Sequence, residues 1–182
     1  ENNKIKLLNS SELPKGWTGK LWALKQGISF SKQQNPLADY LLLTDADIKH
    51  SPDNLKNLVM KAERESLQLV SLMVLLNCST FWERLLIPAF VFFFQKLYPF
   101  PWINDPRKTS AGAAGGCILV RSDALEMAGG IDAVRNELID DCAIGRIIKM
   151  NGPIWLGLTK EVKSLRKYAH LSEIWGMVTR TA

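Results

Sequence analysis

At 182 residues the chain has the length of one domain, and 47% hydrophobic with 23% charged residues is ordinary globular composition, which excludes an intrinsically disordered protein. A net charge of +5 suits an anionic ligand or an anionic membrane face, but it is too diffuse to indicate nucleic-acid binding. Cys78, Cys117 and Cys142 are odd in number and lack paired spacing, which fits a reduced, cytosol-facing compartment better than a disulfide scaffold.

In chain order, Ile5 to Leu8 predicts a short strand, and Leu13 to Lys20 a loop, because a proline and two glycines interrupt it. Leu21, Leu24 and Ile28 recur at helical spacing and predict a helix from Trp22 to Ser31, broken by Gln33-Gln34-Asn35-Pro36. The most informative stretch follows, Tyr40-Leu41-Leu42-Leu43-Thr44-Asp45-Ala46-Asp47. It predicts a buried strand with two carboxylates at its end, where open α/β sheets gather their ligands. Two hard oxygen donors spaced by one residue across a bend suit a divalent cation that keeps waters and bridges phosphates. A solvated aspartate turn before a helix is the alternative that these residues leave open. A calcium loop does not fit, since Lys49 stands at a ligand position and His50 at the turn glycine.

Ser51 as cap and Pro52 at the first position predict a helix with Leu55, Leu58, Val59 and Ala62 inward. Leu69 to Leu76 is nearly unbroken apolar sequence, the pattern of a strand covered on both faces. Leu85 to Phe94 carries no charge, four phenylalanines lie within residues 90–94 and a fifth at 100, with Trp82 and Trp102 at the flanks. Bracketed by Glu83-Arg84 and Gln95-Lys96, those ten residues fall short of the roughly 20 needed to span a bilayer. Residues 83–102 therefore predict a membrane-interface segment, with a core helix as the alternative.

Gly115-Gly116 leads into a strand over Cys117 to Arg121, and Asp123 to Ala128 predicts a short helix ending at Gly129-Gly130. Leu138 to Met150 predicts a helix with Asp140-Asp141 in its first turn, where carboxylates are favoured by the helix dipole whether or not they have a further role. Ile154 to Leu158 and Glu161 to Leu165 predict two strands, and Ser172 caps a last helix reaching Ala182. Strands and helices alternate, so the class is α/β. His50 and His170 lack partners at metal-ligand spacing, and Cys117 and Cys142 read as small buried residues rather than nucleophiles.

Gly16-Trp17-Thr18-Gly19-Lys20, Thr44-Asp45-Ala46-Asp47, Gly115 to Arg121 with Gly129-Gly130-Ile131-Asp132, and Asp140-Asp141 stand in one order. Together they resemble a family 2 glycosyltransferase of the GT-A fold, closest to hopene-associated and ceramide-glucosyltransferase-like members. The resemblance implies a mostly parallel sheet flanked by helices, with residues 1–182 forming part of a catalytic domain. It implies an inverting, metal-dependent transfer from a nucleotide-sugar donor to a lipid-like acceptor at the cytoplasmic face of a bacterial membrane. Asp45-Ala46-Asp47 then stands for the DxD motif that binds Mg²⁺ or Mn²⁺, with Asp47 on the metal and Asp45 near the ribose or metal. Asp141 is the implied general base, paired with Asp140. Gly115 and Gly116 let the donor sugar approach, and Lys20 meets the diphosphate as a point charge. The family's late Gln-x-x-Arg-Trp motif has no clean match, with Trp175 and Arg180 nearby, and Lys25 stands where the family often has Asn. The resemblance also implies further strands before Glu1 and membrane helices after Ala182. A haloacid-dehalogenase-like phosphatase is a rival, although Lys49 occupies the position where that motif wants Thr or Val. A non-catalytic membrane-binding module is the other.

Overall fold

A computed structural model of the chain describes residues 5–34, 38–137 and 139–181. Asn35 and Pro36 of the predicted helix break, Leu138 and Ala182 lie outside these, and so does the side chain of Arg180. Among the described residues the helices are α1 (Gly19–Gln34), α2 (Asn54–Arg64), α3 (Phe81–Leu97), α4 (Phe100–Ile103), α5 (Ser122–Met127), α6 (Asp140–Lys149) and α7 (Leu171–Thr181). The strands are β1 (Tyr40–Thr44), β2 (Ile48–His50), β3 (Leu69–Leu75), β4 (Cys117–Arg121) and β5 (Ile154–Ser164), in one sheet of order β1-β4-β3-β5-β2.

The class is α/β, but the sheet is mixed and not mostly parallel. Only β3 and β5 run parallel; β4 is antiparallel to both β1 and β3, and β2 to β5. The cause is the path from β3 to β4. A helix between two strands makes them parallel only when it returns along a sheet face to the starting end. Here α3 packs against α7 instead, and β4 re-enters the sheet from the end at which β3 left it.

Alternation along β3 and β4 feeds two apolar layers. Leu69, Met73, Ile118 and Val120 face Leu21, Ile103, Ile144 and Ile148 of α1, α4 and α6. Val70, Leu72, Val74 and Leu119 face Leu58 and Ala62 of α2. A third cluster of Ile87, Ile174 and Met177 joins α3 to α7.

β1 and β2 lie at opposite edges of the sheet, yet only Asp45, Ala46 and Asp47 separate them. Four strand spacings come to about 19 Å, whereas the four steps across three linking residues reach about 14 Å at most. The sheet therefore cannot be flat at this end. Its register breaks between Met73 and Leu75, where two positions on β3 face a longer stretch of β5. This irregularity curls the second half of β5, with β2 beside it, back across the strand ends. It also unites the two predicted strands over 154–165 into one.

Other expectations change for local reasons. Ile5 to Leu8 is exposed coil and pairs with neither edge strand of the sheet. Residues 48–50 are drawn into pairing with β5, so Ser51 to Asp53 form a turn, α2 starts at Asn54 and Leu55 is exposed. The entry to α7 is closed by the Glu173 carboxylate, which accepts the His170 N–H at 2.9 Å, so Ser172 lies inside the helix.

α3 extends well past the ten uncharged residues, and Phe81–Ile103 is long and apolar enough, by length and composition alone, to cross a membrane. A core helix passes the same test, and Ile87 and Phe94 are indeed buried in the domain while Phe92 and Phe93 are 55% and 62% exposed. The helix begins with a capping box: Thr80 accepts the Glu83 N–H, and Glu83 Oε2 accepts the Thr80 and Ser79 N–H groups at 2.9 and 2.8 Å. Glu83 Oε1 also accepts the Tyr168 N–H at 2.6 Å, tying α3 to the chain after β5. Burial works against this charge, but the backbone donors of Thr80, Tyr168 and Ser79 prevail and bring its pKa down to about 2. A lowered carboxylate pKa stabilises the fold above the unfolded-state value, and that contribution is lost as pH falls toward 2. We expect Glu83→Gln to cost on the order of 1–3 kcal/mol in urea unfolding at neutral pH. The variant should also lose much of the acid sensitivity below about pH 4.5, and an unchanged acid limb would contradict the assignment.

Candidate active site

Where β1 and β3 end and β4 begins, the protein opens into a cleft of about 960 Å³. It is lined by Lys20, Asp45, Asp47, Gly115, Gly116, Asp140 and Asp141, which bring every predicted site residue to one place. Four separate elements deliver them. Thr18 Oγ1 accepts the Leu21 N–H at 3.3 Å and starts α1, so Lys20 sits in a helical first turn and not in the predicted loop. A cation there opposes the helix dipole, and the carboxylates facing it compensate.

Lys20 Nζ lies 3.2 Å from Asp140 Oδ2 and 3.6 Å from Asp45 Oδ1. Desolvation disfavours the ammonium, but Asp140, Asp45 and Asp141 outweigh it and raise its pKa. Asp141 is pushed the opposite way from an ordinary ion-paired carboxylate: burial, then the neighbouring Asp140 charge, raises its pKa against the pull of Lys20. Its two oxygens are oriented by backbone, Oδ2 accepting the Gly115 N–H at 2.7 Å and Oδ1 the Cys142 N–H at 2.9 Å.

Gly115 has to be glycine for this contact, since a Cβ there would stand 2.9 Å from Asp141 Oδ2 and 3.1 Å from Lys20 Nζ. At Gly116 a Cβ would meet Val74 at 2.9 Å. The approach to both is fixed by Ser71, a buried residue of β3 whose hydroxyl accepts the Ala114 N–H at 2.8 Å and donates to the Ala114 carbonyl at 3.1 Å. Gly145 lets α6 press on the same segment, where a Cβ would come within 2.8 Å of the Gly112 backbone. Ser71 was the one hydroxyl in an otherwise apolar strand, and a buried polar group in such a run signals a required partner. Glu83 was legible in the same way, from Thr80-x-x-Glu83.

The cleft is lined as well by apolar side chains, among them Met73, Val74, Phe90, Phe94 and Met177, and by Arg166. Burial pushes the Cys117 and Cys142 thiols up to about 11, so neither is a nucleophile at neutral pH.

Among the described residues no group of three or more His, Cys, Asp or Glu side chains gathers into a metal cage. Asp45 and Asp47 fit instead a hard cation that retains waters and shares a phosphate ligand, and the place where Lys20 already meets Asp45 accommodates positive charge.

A cleft at strand ends that combines clustered acids, a lysine and a close glycine backbone defines an enzyme site for an anionic substrate. Residues 8–180 match the model of glycosyl transferase family 21, so the chain belongs to that family and is a glycosyltransferase. No curated protein matches the chain. Family membership implies a nucleotide-sugar donor and an acceptor, and it sets aside the phosphatase and the non-catalytic module.

The raised pKa of Asp141 has a consequence for stability. A carboxyl whose folded pKa lies above its unfolded value stabilises the fold when protonated, and this is lost as pH rises through the folded value. At pH 7 the Asp141 carboxyl therefore stabilises the fold less than it does in acid. Asp141→Asn keeps an oxygen for the Gly115 N–H, so its melting temperature at pH 7 should equal or exceed that of the wild type. The difference should shrink below about pH 4, where the wild-type group is neutral too. A marked destabilisation at pH 7 would mean that the charge is favourably paired.

Proposed function

We propose that this family 21 glycosyltransferase carries out an inverting, metal-dependent transfer from a nucleotide sugar to a lipid-like acceptor, hopanoid or ceramide in type. In this reading the domain is of GT-A type and works at the cytoplasmic face of a bacterial membrane. Residues 83–102 rest in the interface. The observation that carries the proposal is that one cleft is lined both by charged side chains, Lys20, Asp45, Asp140 and Asp141, and by apolar ones that include Phe90 and Phe94. Polar leaving-group chemistry and a hydrocarbon-bearing acceptor need both kinds of lining in one site.

Asp45 and Asp47 would hold Mg²⁺ or Mn²⁺, which supplies a Lewis acid that neutralises the departing diphosphate. Lys20 adds a mobile positive charge on the same side, released from Asp45 and Asp140 as the donor phosphates arrive. Gly115 and Gly116 give the sugar access to the backbone. Asp141 takes the proton from the acceptor hydroxyl as that oxygen attacks. Its burial and the adjacent Asp140 raise its pKa, which makes the carboxylate a stronger base. The outer face of α3, with Phe92, Phe93 and Trp102 exposed, supports the membrane part of the reading.

Asp45→Ala and Asp47→Ala should each abolish Mn²⁺-dependent nucleotide-sugar binding with the fold intact, whereas Asp141→Asn should keep donor affinity and lose roughly 10²–10⁴-fold in transfer rate. Unchanged donor binding in both alanine variants, or near-normal turnover in Asp141→Asn, would remove the corresponding assignment. Replacing Phe92 and Phe93 with Ser should weaken co-sedimentation with anionic lipid vesicles and leave the thermal melt almost unmoved, because both rings are exposed. Intact vesicle binding would end the interface reading.

A further inference from the structure

Thr44 and His50 bracket the turn that carries Asp45 and Asp47, and their side chains meet. Thr44 Oγ1 lies 2.9 Å from His50 Nε2, and His50 Nδ1 lies 3.0 Å from Asn54 Nδ2. An amide nitrogen only donates, so Nδ1 is the acceptor and the single ring proton sits on Nε2, directed at Thr44. Thr44 passes its own proton to the Gly116 carbonyl at 2.9 Å. Asn54 is 4% exposed, and its Nδ2 also lies 3.8 Å from Cys117 Sγ, so the amide is oriented from two directions. The result is one directed chain, Asn54 to His50 to Thr44 to Gly116.

The backbone does little of this work. β1 and β2 share no ladder, being at opposite edges of the sheet, and the turn between them has one long bond from the Ile48 N–H to the Asp45 carbonyl at 3.3 Å. On the far side the Leu165 N–H donates to the Asp47 carbonyl at 2.8 Å. What closes the near side is the imidazole, while the Thr44 hydroxyl and the pairing of β1 with β4 link the turn to the glycine pair before β4.

We propose that His50 is a positioning residue of the transfer site: as the Nε2–H tautomer it staples the two ends of the Asp45–Asp47 turn, and through Thr44, which donates to the Gly116 carbonyl, it steadies that turn against Gly115-Gly116. His50 touches no reacting group. It acts through Thr44 and the backbone, and Asn54 sets its tautomer. The sequence alone assigns this histidine to the surface or the core, because its partners are a threonine and an asparagine and not metal ligands.

Two readouts test the staple in the full chain. The first is amide hydrogen exchange at Ile48 and Cys117, with amides of α6 as the internal reference. The second is the Kd for Mn²⁺ alone, which rests on the metal reading of Asp45 and Asp47. His50→Ala and Thr44→Val should each speed exchange at Ile48 relative to α6 and raise the Mn²⁺ Kd about tenfold, the size expected from one net hydrogen bond. The double variant should be no worse than Thr44→Val alone, because that substitution already removes the link to His50 along with the bond to Gly116. His50→Gln, whose terminal amide again offers a donor to Thr44, should recover most of the loss. A purely structural role would lower the melting temperature of all variants alike, with additive losses and no recovery by Gln. That outcome, or unchanged Ile48 exchange in His50→Ala, overturns the proposal. If the wild-type protein binds no Mn²⁺, the metal reading fails instead and the exchange rates alone decide for or against the staple. Should His50→Ala not fold, the near-isosteric Thr44→Val carries the comparison.

Discussion

Three residues join strands at opposite edges of this sheet, and the geometry of the active cleft follows from that short tether. Because Asp45, Ala46 and Asp47 cannot reach across a flat sheet, the second half of β5 and β2 must curl over the strand ends. The curl places the acid turn above the start of β4, beside Gly115 and Gly116. Antiparallel pairing of β4 with β1 sets Cys117 opposite Thr44, so the glycine pair and the acids meet without any long loop. The irregular register between Met73 and Leu75 is thus the means by which a polar turn is brought over a covered, apolar strand.

Within the cleft, electrostatics are balanced rather than neutral. One ammonium faces three carboxylates, and the two nearest it are Asp140 and Asp45. The remaining carboxylate, Asp141, keeps a raised pKa because its surroundings are dry and the Asp140 charge lies beside it. Asp45 and Asp140 are ion-paired with Lys20, whereas Asp141 is set slightly farther from the cation. The separation is small. It is maintained by backbone contacts from Gly115 and Cys142 that leave Asp141 one defined orientation.

The parts of this arrangement that could be read from the sequence were those with local signals. An apolar run ending in Asp45 and Asp47, a Gly-Gly before β4, and paired acids at the start of α6 each carry their own pattern, and all three reach the same cleft. Strand direction did not have such a signal. The alternation of elements is the same whether α3 lies along the sheet or leaves it for α7, and only the tertiary contact between the two helices decides. The same reason hid the start of α2, since pairing of Ile48–His50 with Val162–Ser164 is a contact more than a hundred residues distant. Ile5 to Leu8 has the composition of a strand, but composition does not decide whether a segment docks on a sheet edge.

α3 has two faces with different neighbours. Phe90 and Phe94 line the cleft, while Phe92 and Phe93, on the intervening positions, look outward. The wall between the transfer site and the outside is therefore a single helix, about 10–12 Å thick with its side chains. Glu83 bolts one end of that wall to the chain beyond β5, and α7 braces its length. A molecule settled against its outer aromatics is thus about one helix width from the cleft, and the domain's third apolar cluster holds α3 in that place.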